Sequence, residues 1–193
     1  MGYNFNKVTE GVRLILEGMG YDCSTEPFSK TPMRYARLIA EILGMTEEEI
    51  QKKCSEALSV SFKVDARNQC VISHNVSLYS LCPHHLLPVH YTVMIAYLPV
   101  DRVLGLSKIS RLAQLLGRYP YLQEEYTERL ASTIFNGLNC LGVAVVVYGE
   151  HDCVRIRGPK QDDSKVTTLS YKGIFSEDPK MREEFLQMIK GAI

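Results

Sequence analysis

The period of the apolar residues changes at Cys70, and that change decides what the chain can fold into. Before it, Val8, Val12, Ile15 and Met19 fall on one helical face, Thr31-Pro32 reads as an N-cap followed by proline at the first helical position, and Thr46 with Glu49 reads as a capping box. After it come VISHNVSLYS and VHYTVMIAYLP, two strand-like runs joined by a loop from Cys82 to Pro88, which predict an antiparallel pair. Two helical stretches follow, SKISRLAQLLGRY and PYLQEEYTERLASTIFNGL. In the second, Leu122, Tyr126, Leu130, Ile134 and Leu138 recur at helical spacing and are expected to be core. Then GVAVVVYGE runs directly into HDCVRIRG, a Thr-rich SKVTTLSYKGIF gives a last strand, and Asp178-Pro179 caps a helix through Phe185 and Ile189. The predicted class is α+β, ordered helices, two strands, two helices, two strands, helix, divided into a helical arm over 1–60 and a domain over 61–193. No repeat, low-complexity tract or linker interrupts it.

Cys82-Pro83-His84-His85 and His151-Asp152-Cys153 lie roughly seventy residues apart and hold three of the five histidines and two of the six cysteines. Zinc takes soft or borderline donors in a tetrahedron, and two thiolates with one imidazole leave the fourth position for water. If Cys82 opens a tight turn, the imidazole three positions on returns to its sulfur, so His85 is the expected ligand and His84 points elsewhere. In a strand, His151 and Cys153 would share a face. Cys82, His85 and Cys153 are therefore assigned to zinc, with His84 and His151 beside it as proton carriers. Taken singly, each cluster is equally compatible with buried thiols and satisfied core histidines; together they are the usual raw material of a metal site.

The chain has 193 residues, 46% of them hydrophobic, enough for one sizeable core. Its 22 basic and 22 acidic residues cancel, so no global field favours nucleic acid or an anionic membrane, and anion binding must come from local clusters. MGYNFNK lacks an apolar signal core, residue 6 is Asn where myristoylation wants Ser or Thr, and no apolar run reaches spanning length. A cytoplasmic protein with reduced thiols is expected, with Cys23, Cys54, Cys70 and Cys140 structural.

SLCPHHLLPVHYTVMIAYLPVDRVLGLSKISRL, followed by LQEEYTERLA, GVAVVVYGEHDCVRIRG and the closing Thr-rich GIF segment, resembles GTP cyclohydrolase I over about residues 70 to 190, and more loosely over TPMRYAR at 31 to 37. The resemblance implies a tunnelling fold, in which antiparallel ββααββ units associate side by side into barrels. It further implies a toroidal homo-oligomer, typically a decamer, with active sites at subunit interfaces. The implied reaction converts GTP and water to 7,8-dihydroneopterin triphosphate and formate, feeding pterin or related deazapurine synthesis. It also implies zinc on Cys82, His85 and Cys153, protonation of the imidazole nitrogen by His151, and assistance from His84. Chemistry supports this division, because zinc lowers the pKa of water from 15.7 to about 7 and histidine exchanges protons near neutrality. No Gly-rich dinucleotide fingerprint is present, and no nicotinamide or flavin is expected.

By the same resemblance Arg34, Arg37, Ser107, Lys108, Arg111 and Arg157 hold the triphosphate, with Arg37 standing where lysine is more usual. Read singly, each is equally an ordinary solvated surface charge, and Ser107 is equally a helix cap. Gln123 and Glu124 are expected to read the base, since a carboxylate accepts parallel hydrogen bonds from N1 and the 2-amino group of guanine; the alternative for Glu124 is a helix-surface acid. The family usually writes Cys-Glu-His-His and has Arg after Gln-Glu, where this chain has Pro83 and Glu125. Both departures lie beside the site. They keep open a zinc hydrolase acting on another purine nucleotide, a reaction stopping at the formamidopyrimidine, and a non-catalytic oligomer that binds nucleotide.

Overall fold

The computed structural model describes residues 2–65 and 69–190. Its helices and strands run α1 (Phe5–Gly18), a 3-10 turn (Phe28–Lys30), α2 (Thr31–Leu43), α3 (Glu47–Leu58), β1 (Ser61–Lys63), β2 (Val71–Leu81), β3 (Pro88–Pro99) and β4 (Arg102–Leu104). They continue with α4 (Leu106–Leu116), α5 (Gln123–Gly137), β5 (Cys140–His151), α6 (Asp152–Arg155), β6 (Val166–Gly173), α7 (Ile174–Glu177) and α8 (Pro179–Ile189). The predicted α+β order is present, with an additional short ribbon in which β1 pairs with β4.

The four long strands form one antiparallel sheet in the order β2-β3-β5-β6. Side-chain alternation sorts its residues into two layers. Val89, Tyr91, Val93, Ile95 and Tyr97 of β3 join Val143, Val145 and Val147 of β5 in the larger core, against Ile109, Leu112 and Ala113 of α4 and Tyr126, Leu130 and Ile134 of α5. Met94, Ala96, Ala144 and Val146 face the other way, under Phe175, Phe185 and Ile189. The two central strands are therefore apolar on both faces where both layers cover them. Beyond α8, the second face turns polar at Ser77, His90 and Glu150, none of which is buried. Strands β2 and β6 are the two edges of this sheet.

Helix α3 belongs to the larger core through Ile50, Cys54, Ala57 and Leu58. Burial pushes the Cys54 thiol up to about 11, as expected of an inert structural cysteine. All six cysteines are free, and among the described residues no helix is long and apolar enough to cross a membrane.

The capping box at Thr46 and Glu49 is present, and Asp178 accepts from Lys180 N at the start of α8. Other boundaries differ from expectation. Thr31 lies inside α2, whose cap is Lys30. Gly105 caps α4, so Ser107 does not. Helix α5 starts at Gln123, because Pro120 and the extended Leu122 (φ −60°, ψ 149°) precede it, and Leu122 is 47% exposed rather than core.

Candidate metal centre and its surroundings

The turn between β2 and β3 is closed by Cys82 N donating to Leu87 O at 2.9 Å and Leu86 N donating to Cys82 O at 2.8 Å. Leu86 has a positive φ of 52°, a left-handed conformation that lets so short a segment reverse and costs a branched residue roughly 1–2 kcal/mol. The reversal brings His85 Nδ1 to 3.7 Å from Cys82 Sγ, with His84 Nδ1 at 3.8 Å on the same sulfur. Pro83 is exposed on this turn and lines the pocket beside it.

The second segment arrives differently from the expected strand. Strand β5 ends at His151, and the chain turns into α6, so Cys153 projects from a helical turn. Arg155 ties that turn down: NH1 lies 3.7 Å from Glu150 and 3.5 Å from Asp152, and Nε donates to Asp162 O at 3.1 Å. Lys165 holds Glu150 from the other side at 3.0 Å. These opposite charges lower the Glu150 carboxyl below its ordinary range, Lys165 being the largest cause.

The Cys82 and Cys153 sulfurs and a ring nitrogen of His85 all lie within 4.8 Å of one another. Tetrahedral zinc with two sulfurs at about 2.3 Å and nitrogen at about 2.05 Å needs a sulfur–nitrogen edge of about 3.6 Å, and the Cys82–His85 separation of 3.7 Å meets it. Burial, then the Cys82 sulfur, push the Cys153 thiol up. A divalent cation between the two sulfurs would reverse that balance. The donor set thus fits a thiophilic cation in number, type and spacing.

Around these donors lies a cavity of about 180 Å³, lined by His84, Tyr91, Tyr121, Gln123, Glu124 and His151 among others. His151 is half-buried. Burial lowers its basicity, and Glu124 partly offsets this. Its Nε2 lies 2.7 Å from Gln123 Oε1, and its ring meets Tyr91 edge-on at 6.1 Å. Tyr91 in turn stacks on Tyr126 at 5.0 Å. Glu124 is exposed in the first turn of α5, and Arg157 NH1 lies 2.6 Å from His85 Nε2. Tyr91 and Tyr121 are wall residues that the sequence reading passed over. For Tyr91 the signal was the alternation of VHYTVMIAYLP, which puts it on the inward face of β3, where it lines the pocket.

The remaining sequence-derived triphosphate-binding candidates stand apart. Lys108 and Arg111 line a separate cavity of about 490 Å³ with Lys53, Glu56 and Arg118. Ser107 is exposed at the start of α4, and Arg34 and Arg37 are exposed on α2. None of these five lines the metal pocket. Glu125 pairs with Arg129 at 2.8 Å, which also reaches Glu47 at 3.4 Å and stacks 4.4 Å over Tyr121, so its place is in a tie between α5 and α3.

The fold and the three donors define an α+β protein with a candidate thiolate–imidazole metal centre. A sequence profile described as GTP cyclohydrolase I matches residues 8–190. The chain is 39% identical over 183 residues to GTP cyclohydrolase 1 of Clostridium perfringens (strain 13 / Type A), covering 95% of this chain and 96% of that one. It is 39% identical over 184 residues to GTP cyclohydrolase 1 of Caldanaerobacter subterraneus subsp. tengcongensis, covering 95% of each. It is 36% identical over 188 residues to GTP cyclohydrolase 1 of Geobacillus kaustophilus, covering 97% of each. The chain belongs to the GTP cyclohydrolase I family and is an enzyme. The solved apo archaeosine synthase QueF-Like aligns with 54% of this chain and 92% of its own at a TM-score of 0.41 and 16% identity, too remote a likeness to carry an argument.

Proposed function

We propose that the protein is a zinc-dependent GTP cyclohydrolase I, opening the guanine imidazole ring at C8, releasing formate, and closing the rearranged product to 7,8-dihydroneopterin triphosphate. The observation that carries this reading is the convergence of Cys82, His85 and Cys153 within 4.8 Å, beside two further histidines, in a chain of this family. Cys82, His85 and Cys153 would hold the ion, which when bound supplies Lewis acidity and a nucleophile available at neutral pH.

His151 moves the proton at the departing purine nitrogen: burial lowers its basicity, so a proton taken up from the attacking water is readily passed on. His84, exposed and 3.8 Å from Cys82 Sγ through Nδ1, assists from the opposite wall. Glu124 accepts from N1 and the 2-amino group of guanine, a donor pair that adenine lacks. Tyr91 and Tyr126 close the inner end against water.

A triphosphate extends well beyond a cavity of about 180 Å³. Arg157 is the assigned cation nearest the ion in the same chain, while Arg34, Arg37, Ser107, Lys108 and Arg111 serve the triphosphate of a site completed by a neighbouring copy. The unpaired β2 and β6 edges support side-by-side association into a ring, of the decamer type the family implies.

The test is incubation of zinc-loaded protein with GTP, following formate and pterin fluorescence with metal content measured on the same sample. Formate release with a rising pterin signal is expected; formate without a pterin would mean the reaction stops at the formamidopyrimidine, and GTP binding without formate would sink the proposal.

A further inference from the structure

Taking the catalytic role of His151 from the proposed function, we infer that Gln123 is a positioning residue that holds the His151 ring as its Nε2–H tautomer and leaves Nδ1 to the substrate. Gly149 is the residue that makes room for this contact.

The orientation of a glutamine amide is decided by its hydrogen-bond partners. Gln123 Nε2 lies 3.1 Å from Val147 O and 2.9 Å from Val166 O, and both are carbonyl acceptors that only an NH2 group can serve. The amide oxygen must therefore be the end facing His151, 2.7 Å from Nε2. An oxygen there accepts and cannot donate, so the ring proton sits on Nε2.

A closed circuit of hydroxyls keeps the amide from turning over. Thr127 Oγ1 donates to Gln123 O at 2.7 Å, which makes it the acceptor from Thr168 Oγ1 at 2.6 Å. Thr168 in turn accepts from Gln123 Nε2 at 3.2 Å. Each threonine hydroxyl has one direction available, the two amide hydrogens are shared among three acceptors, and Gln123 is only 4% exposed. Reversing the amide would set its oxygen against two carbonyl oxygens in a buried place, where each unpaired group costs about 1–3 kcal/mol.

Gly149 provides the second, independent observation. A Cβ at this position would stand 2.1 Å from Gln123 Oε1 and 3.0 Å from His151 Nε2. Strand β5 pairs regularly through Gly149, with Tyr91 on one side and Val166 on the other, so the backbone does not call for glycine there. The space is what it supplies. With its NH2 group committed to protein acceptors, Gln123 could offer a purine no more than the second lone pair of Oε1.

The test uses the zinc-loaded full chain and Gln123→Met, which keeps length and apolar volume while removing the acceptor. Expected are unchanged zinc content, kcat lower by about tenfold to a hundredfold, and KM for GTP within twofold. Solid-state 15N spectra of protein labelled at its five histidines, with His151→Gln for assignment, should show the Nε2–H form at His151 in the parent protein and a mixture in Gln123→Met. A KM raised tenfold at unchanged kcat, no change in either constant, or an Nδ1–H ring in the parent protein would overturn the inference. The nitrogen spectrum needs no turnover, so a protein inactive on GTP refutes the proposed function while still deciding the role of Gln123.

Discussion

Arg157 NH1 and His85 Nε2 lie 2.6 Å apart, and this contact is incompatible with metal ligation through the other ring nitrogen. A guanidinium only donates, so Nε2 must be a bare acceptor and the ring proton must sit on Nδ1, the nitrogen that faces Cys82. An ion bound at Nδ1 needs the opposite tautomer, with the proton on Nε2. An ion bound at Nδ1 would therefore displace Arg157 from His85 and free its guanidinium for the triphosphate role proposed above. Arg157→Ala should bind zinc more tightly, by about 1 kcal/mol or roughly fivefold in a chelator competition, since an exposed charged hydrogen bond is lost. Its KM for GTP should rise at the same time. Weaker zinc binding in the variant would contradict the exchange.

Cys153→Ala should lose metal and activity together, because two donors remain of three. His151→Ala should keep its zinc and turn over about 10²- to 10⁴-fold more slowly, the range of a lost general acid–base group. Metal analysis and steady-state rates on the same preparations separate the two roles; loss of zinc from His151→Ala would reverse the division between ligand and proton carrier.

Gly149→Ala should destabilise the protein by about 1–3 kcal/mol, the usual cost of forcing a methyl into a filled space. The obstructing atom belongs to the Gln123 amide, which its three acceptors keep from moving aside. Denaturant unfolding of parent and variant measures it, and a variant as stable as the parent would show that the amide moves freely.

Glu128 joins α5 to β6 through Lys172 and through Ser170, whose hydroxyl donates to it at 2.8 Å. Lys172 is the largest cause of a carboxyl held below its ordinary range. With the folded value below the unfolded value of about 4.3, the contribution is complete above that pH and disappears as pH falls through the folded value. The carboxylate is more than half exposed and screened, so Glu128→Gln should cost at most about 1 kcal/mol at pH 7. Melting temperatures of the two proteins should converge under acid, and a gap that widens would contradict the sign.

The strands, the two central helices and the convergence of Cys82, His85 and Cys153 were legible because each rests on local pattern. Alternation in VHYTVMIAYLP and GVAVVVYGE gives the two layers, and the i, i+3 spacing of Cys82 and His85 fits a tight turn. Cys153 does meet Cys82 and His85, but not along the strand that was expected: β5 stops one residue short of Asp152, and the approach is made by a helical turn that Glu150 and Lys165 help to hold. The circuit through Gln123, Thr168 and Thr127 joins residues up to 45 positions apart, and only the packing of α5 on β6 brings them together. The separation of Lys108 and Arg111 from the candidate metal group was equally hidden, because spacing along a chain says nothing about which cavity a side chain lines.

If a neighbouring copy completes each site, as proposed, that separation gives the assembly a signature in mixed oligomers. Lys108→Ala would then damage the grip that a protomer offers to one neighbour, and Cys153→Ala the reacting centre it keeps for itself. Two dead variants, refolded together, would then rescue each other at those sites where an intact half meets an intact half, roughly a quarter of them in a random one-to-one ring.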